Sequence, residues 1–189
     1  MDSTLLNIHA ILPGSRVNGP GLRLVVFFQG CLRGCDGCFN PATHSFEEKE
    51  LLPAASLIDG RMAPGVEGLT VSGGEPFLQP RGLRELLAAA RARGLSTLVY
   101  TGFTLEELEA GLLTRECLPL IDVLVDGPYR IDMPEKTLLP RGSTNQRFHF
   151  LTDRYSLNDL MLPGRVELFI SGDGTVKETG FGSLTRTVL

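Results

Sequence analysis

Hydrophobic positions along this chain switch between a period of two and a period of three to four, with turn residues at the switches. Leu6, Ile8, Ala10 and Leu12 alternate with other residues, which predicts a first strand ahead of the loop signal VNGPG. Residues 22–28, LRLVVFF, form a continuous apolar run of β-branched and aromatic residues, as expected of a strand buried on both faces. Residues 46–58 predict a helix that Pro53 limits, and GVEGLTVS holds a short strand ending near Ser72. Pro80 suits a first helical position; Leu83, Leu86, Leu87 and Ala90 follow at helical spacing, and Gly94 suits the C-terminal cap. LSTLVY (95–100) is the next strand, and Thr104 with Glu107 forms a capping-box pattern opening a helix through LEELEAGLL. IDVLV (121–125) is a further buried strand.

Strand–loop–helix repetition of this kind predicts an α/β fold with a mostly parallel sheet covered by helices. Residues 127–146 are rich in Pro, Gly and polar residues and read as a long functional loop. RFHFL (147–151) reads as a short strand. Val166, Leu168 and Ile170 alternate before Gly172-Asp173-Gly174 and TVKET, which predicts a C-terminal β-hairpin. The expected organisation is a core over residues 1–151 and a C-terminal extension over 152–189, either in the same domain or as a small appendage.

The net charge is −4, from 18 basic and 22 acidic residues, which argues against nucleic acid as the partner. No basic run marks a membrane contact, and no apolar stretch reaches the ~18 residues that span a bilayer. The amino-terminal segment lacks the basic region of a secretory signal, so a cytoplasmic protein is expected. Three of the 4 cysteines lie close together, a pattern of metal ligands or redox groups rather than of a disulfide framework.

The cluster reads Cys31-Leu-Arg-Gly-Cys35-Asp-Gly-Cys38, and Gly30, Gly34 and Gly37 let such a loop turn sharply. A cubane iron–sulfur cluster commonly takes four thiolates. Three ligands from one loop leave its fourth iron open to a small molecule. Cys117 is either a fourth thiolate or a buried structural cysteine. The same loop with His44 offers a Cys3His zinc site as the alternative chemistry.

A second constellation, TVSGGEP (70–76), falls at the end of a predicted strand, where parallel α/β folds bind ligands. Its glycines expose backbone polar groups, and Glu75 adds a carboxylate able to attract an ammonium.

Taken together, these motifs resemble the radical S-adenosylmethionine (SAM) superfamily over most of the chain. Within it the chain is similar to the activating enzymes of glycyl-radical enzymes, on VNGPGLR, GCLRGCDGCFN, VSGGEP, YTGFTLEEL, DVLVDGPY and RGSTNQR. The last three look most like the subgroup that activates anaerobic ribonucleotide reductase. The resemblance implies an incomplete (β/α) barrel of about five or six mostly parallel strands with flanking helices. It implies a 4Fe–4S cluster on Cys31, Cys35 and Cys38, with SAM chelating the open iron and its amino group at Gly73, Gly74 and Glu75, beside Ser72. Phe39 is expected near the SAM adenine or as a core aromatic. Asn18 and Gly19 are expected to brace the cluster loop, and Thr101 and Asp126 to contact SAM or a cation or to cap a turn. One electron would cleave SAM to methionine and a 5′-deoxyadenosyl radical, which takes a hydrogen atom from a glycine of the partner.

The implied partners are a glycyl-radical enzyme, taken to be anaerobic ribonucleotide reductase, and a flavodoxin or ferredoxin as electron donor. Arg130, Arg141 and Arg147 are candidates for gripping the partner or for a solvated loop face. Two other readings stay open: a radical SAM enzyme acting on a small molecule or peptide, and a zinc-binding interaction module.

Overall fold

A computed structural model describes residues 4–170 and 172–182. Nine strands and three α-helices follow one another along these residues. The strands are β1 (Leu5–Ser15), β2 (Arg23–Phe28), β3 (Leu51–Pro53), β4 (Gly68–Gly73), β5 (Ser96–Tyr100), β6 (Val123–Asp126), β7 (Arg147–Phe150), β8 (Val166–Ile170) and β9 (Val176–Gly180). The helices are α1 (Pro80–Ala92), α2 (Leu105–Ala110) and α3 (Leu112–Arg115).

Seven strands form one sheet in the order β3-β1-β2-β4-β5-β6-β7, and β8 and β9 form a separate hairpin. β2, β4, β5 and β6 are parallel neighbours. β1 runs against β2, β3 runs against β1, and β7 runs against β6. Five of the seven strands therefore point the same way, in a mixed α/β fold with a mostly parallel central sheet.

Buried apolar residues explain the parallel centre. Leu24, Val26 and Phe28 of β2, Leu69 and Val71 of β4 and Val99 of β5 pack on Leu83, Leu86, Leu87 and Ala90 of α1. A second cluster holds Leu98, Val123, Val125 and Leu160, against Tyr100, Leu139, Phe148, Phe150 and Tyr155. Both faces are thus covered, as the continuous apolar runs of β2 and β6 require.

Residues 46–58 are not a helix. They form β3 and a short 3-10 turn over Ala54–Leu57 with Pro53 as its N-cap. Pairing of β3 with the free edge of β1 overrides the helical composition, and Pro53 cannot donate within a helix. The predicted helix after Thr104 is divided: Gly111, in extended conformation, ends α2 and precedes α3.

The long loop 127–146 carries no α-helix or strand, only an isolated bridge between Pro134 and Ser143. It is knitted to the C-terminal segment: Leu162 N–H donates to the Leu138 carbonyl (3.0 Å), and Arg165 reaches the carbonyls of Glu135 (2.8 Å) and Phe181. The hairpin sits beside the start of β2, where Glu167 accepts from Ser15 and Asn18 Nδ2 donates to Thr179 Oγ1 (3.0 Å).

Inside the loop, buried Glu135 accepts from Arg141 Nε (2.6 Å) and from the N–H groups of Lys136 and Thr137 (2.9 Å each). Burial pushes this carboxyl up, but the Thr137 N–H and Arg141 outweigh it and hold it at about 2. The Arg141→Ala protein is expected to lose about 3 kcal/mol at neutral pH, because a buried carboxylate loses its charged partner. A depressed acid contributes stability above its ordinary 4.5 and loses it as pH falls toward about 2, so the deficit should shrink over that window. Urea unfolding of both proteins as a function of pH checks this.

Candidate functional site

All four parallel strands deliver their carboxyl ends to one edge. β2 runs into residues 29–40, β4 ends at Gly73, β5 at Tyr100 and β6 at Asp126, and Phe28 stands opposite Gly73 in register. The cysteine loop crosses this edge. Its base is pinned by Gly30 N–H to the Thr43 carbonyl (2.8 Å), Cys31 N–H to the His44 carbonyl (3.2 Å) and Gln29 Nε2 to the Ser45 carbonyl (2.8 Å).

Cys31, Cys35 and Cys38 are free thiols, each partly exposed. Cys31 Sγ accepts the Arg33 N–H (3.4 Å) and Cys38 Sγ accepts the Asn40 N–H (3.3 Å). Burial pushes both thiols up, and these N–H groups pull back toward the thiolate. The charge of Cys35 acts on both, and that of Glu75 acts on Cys31, so the three sulfurs share one electrostatic neighbourhood.

This donor set, three free thiols carried by one loop, fits the thiolate ligands of a cubane. Each cluster thiolate binds a different iron, so cluster ligands stand wider apart than the ligands of one metal. Among the described residues no three His, Cys, Asp or Glu side chains converge to hold one ion, as a Cys3His zinc site requires. His44 serves the loop through its backbone. The amide donors to two sulfurs are the kind of hydrogen bond that tunes thiolate clusters.

Cys117 stands apart. It is fully buried in the core beside α1, and its Sγ faces the carbonyls of Pro80 (3.5 Å) and Leu113 (3.7 Å). Burial pushes its thiol up to about 12, the condition of an inert structural cysteine.

Gly73 and Gly74 lie against the cysteine loop. Gly73 has φ of +104°, and Gly74 N–H donates to the Phe28 carbonyl (2.8 Å). Glu75 N–H donates to the Gly30 carbonyl (2.8 Å), immediately before Cys31. The Glu75 carboxylate is itself buried and taken up by protein donors: Phe77 N–H (3.1 Å), Thr101 Oγ1 (2.8 Å) and Gly102 N–H (2.7 Å). It therefore ties the end of β4 to the turn after β5. Ser72 is half-buried and pairs in register with Phe27.

Burial raises the Glu75 carboxyl, against the pull of those three donors and of the Arg33 charge. A raised acid makes the native state hold its proton longer than the unfolded chain. Stability from this group therefore falls as pH rises from its ordinary 4.5 through the raised value. In Glu75→Gln this slope is expected to vanish. The amide nitrogen would also meet an N–H donor, at a cost of about 1–3 kcal/mol. Unfolding midpoints of the two proteins across that pH range test both effects.

Thr101 is buried; besides binding Glu75 it accepts the Phe103 N–H (3.1 Å). Asp126 is fully buried and accepts from Leu105 N–H (2.7 Å) and Arg147 Nε (3.0 Å), with His149 Nε2 3.0 Å away but out of hydrogen-bond alignment. Burial pushes this carboxyl up; Arg147, the Leu105 N–H and His149 more than offset it. Phe39 is outside the core: its ring tilts against Tyr129 at 5.0 Å beside Gly142.

Asn18 and Gly19 precede β2 and so lie at the opposite edge from the cysteine loop, not beneath it. Asn18 Nδ2 binds Ser15 (2.8 Å) and Thr179, and its carbonyl accepts from Thr70 Oγ1 (2.7 Å). Arg130, Arg141 and Arg147 are paired within the chain, with Asp132, Glu135, and Asp126 and Glu106 respectively.

Two arginines with structural tasks were not expected. Arg23 is fully buried at the start of β2 and donates to Thr70 Oγ1, Ser96 Oγ and the carbonyls of Pro20, Leu69 and Ser96. An arginine opening an apolar run was the available signal. Arg33, inside the cysteine loop, reaches across to Phe103 and Glu107; its sequence neighbourhood offers no signal of this.

Residues 17–149 match the family described as 4Fe-4S single cluster domain. The chain is 37% identical over 159 residues to an anaerobic ribonucleoside-triphosphate reductase-activating protein of Pasteurella multocida, the match taking in 78% of this chain and 99% of that protein. It is 34% identical over 158 residues to the protein of that name in Escherichia coli (77% and 99%). It is 35% identical over 159 residues to the one in Vibrio cholerae (78% and 99%). The cysteine loop and the Gly73–Glu75 segment both fall within the matched family domain. By domain and by near-complete coverage of these relatives, the chain belongs to the 4Fe-4S single cluster domain family and to the family of anaerobic ribonucleoside-triphosphate reductase-activating proteins.

Proposed function

We propose that this chain is a radical SAM activase that installs a glycyl radical on an anaerobic ribonucleoside-triphosphate reductase. The observation that carries the reading is the junction of the two motifs, Glu75 N–H on the carbonyl of Gly30 at 2.8 Å beside free Cys31. Family membership supports it.

In this reading Cys31, Cys35 and Cys38 hold a 4Fe–4S cluster, and Ser72, Gly73, Gly74 and Glu75 border the SAM amino acid. The chemistry supplied by bound cluster and SAM is one-electron cleavage of the sulfonium and removal of a hydrogen atom from the partner's glycine. The chain's own part is placement. Glu75 holds the Thr101–Gly102 turn, and Asp126 holds the start of α2. Phe39 and Tyr129 form an aromatic surface beside the loop suited to a purine ring. The incomplete barrel, a reduced flavodoxin or ferredoxin as donor, and a cytoplasmic setting belong to the same reading. No helix among the described residues is long and apolar enough to cross a membrane.

The test is anaerobic reconstitution with iron and sulfide, then SAM, a strong reductant and a purified anaerobic reductase. 5′-Deoxyadenosine together with a glycyl EPR signal on the reductase is expected. 5′-Deoxyadenosine without that signal would move the substrate to a small molecule or peptide, and neither product would end the proposal.

A further inference from the structure

Arg33 is the one cation of residues 29–40. Its guanidinium leaves the cysteine loop and lies over the Phe103 ring, 4.2 Å from the centroid. Its terminal nitrogen meets Glu107 Oε2 at 3.2 Å. The stem runs across Gly102, where a Cβ would sit 3.0 Å from Arg33 Cγ. Glu107 is a firm anchor, because it already closes the capping box with Thr104 at the start of α2. The ion pair is partly solvated and weak by itself; stacking on the ring adds to it.

These contacts close a ring. Arg33 N–H donates to Cys31 Sγ, its side chain covers Gly102, Gly102 N–H is held by Glu75, and Glu75 N–H returns to Gly30. The loop is thereby fastened at its base by Glu75 and at its crest by Arg33. We propose that Arg33 is a positioning residue that latches the cysteine loop to the β5–α2 turn and so sets the thiols at a fixed distance from Gly73–Glu75. The inference rests on reading these two segments as the cluster and SAM sites.

Hydrogen exchange of the cluster-free chain, followed by mass spectrometry, tests the latch directly. In Arg33→Ala, amides of residues 31–38 should exchange about fivefold to tenfold faster while those of α1 stay unchanged. Arg33→Lys, which keeps a cation for Phe103 but not the fork, should fall between. Glu107→Gln keeps a capping box, removes the ion pair and serves if Arg33→Ala does not fold. Equal exchange in wild type and these variants overturns the latch, whether or not the wild type takes up a cluster.

A second readout tests positioning. In reconstituted protein, the SAM concentration giving half of the SAM-dependent change in the reduced-cluster EPR spectrum should rise about tenfold in Arg33→Ala, with iron content unchanged, and recover partly in Arg33→Lys. An unaltered half-saturation beside faster exchange would leave a merely structural contact and overturn the positioning role. A wild type that takes up no cluster would sink the function proposed above and with it this positioning role, while the exchange result would still decide the latch.

Discussion

Replacing Cys35 by alanine is expected to abolish SAM cleavage, by at least about a thousandfold, and to strip the reconstituted protein of most of its iron and sulfide. The size follows from ligand arithmetic. Losing a group that merely supports a metal ligand already costs roughly 10–100-fold in affinity or activity. Cys35 is a ligand itself in the proposed site, and with Cys117 bound up in the core no fourth thiol stands ready to replace it. Cys117→Ala is the matching control. It should keep the brown colour and the product yield and lose about 1 kcal/mol of stability from the core. Iron, sulfide and 5′-deoxyadenosine assays on the two variants check the pair. Full product from Cys35→Ala, or loss of iron from Cys117→Ala, would reverse the assignment of ligands.

Gly74→Ala is expected to be severely damaging although it removes no ligand. A methyl there would place its carbon 2.8 Å from the Gly30 carbonyl carbon and 3.1 Å from the Thr43 oxygen. Both neighbours are backbone, so neither can swing aside as a side chain would. Overpacking typically costs about 1–3 kcal/mol. Here the strain falls on the hydrogen bonds that seat the loop, Gly30 N–H on Thr43 and Glu75 N–H on Gly30, so about 3 kcal/mol and loss of cluster uptake are expected together. Gly34→Ala separates crowding from backbone conformation. Gly34 has φ of +55° but nothing within 4 Å of a Cβ, so only the conformational cost of about 1–2 kcal/mol applies, with the cluster retained. Urea unfolding of the cluster-free variants, with iron content after reconstitution, measures both.

The readable parts of this fold are those where local chemistry and tertiary packing agree. Pro80 and the Leu83, Leu86, Leu87, Ala90 stripe define α1, whose buried face is made of that stripe and Gly82. The Thr104–Glu107 capping box is present, with Thr104 N–H on Glu107 at 2.7 Å and Glu107 N–H on Thr104 at 3.3 Å. The alternation of Val166, Leu168 and Ile170 becomes β8 of the hairpin by pairing with β9, although Leu168 and Ile170 are exposed there. Residues 46–58 failed because a three-residue edge strand has too little sequence to outweigh helix-forming neighbours; only its pairing with β1 creates it. The antiparallel runs of β1 and β7 were illegible for the same reason, since strand direction is a property of the partner.

At the site, the two glycine-flanked motifs announced themselves by spacing, and their contact across the sheet edge is the work of register between β2 and β4. What Glu75 does was less legible. A carboxylate after two glycines suggests a ligand contact, whereas the folded chain spends its oxygens on Phe77, Thr101 and Gly102. The three arginines that flank or lie in the long loop each pair with a carboxylate of the chain, which their sequence positions do not announce.

Mössbauer spectroscopy of the iron-reconstituted, anaerobic protein, with and without SAM, bears most directly on the site. If Cys31, Cys35 and Cys38 hold three irons and leave one without a thiolate, a single iron of the four should change its signature when SAM is added. Four irons that stay alike and thiolate-bound in the presence of SAM would contradict it.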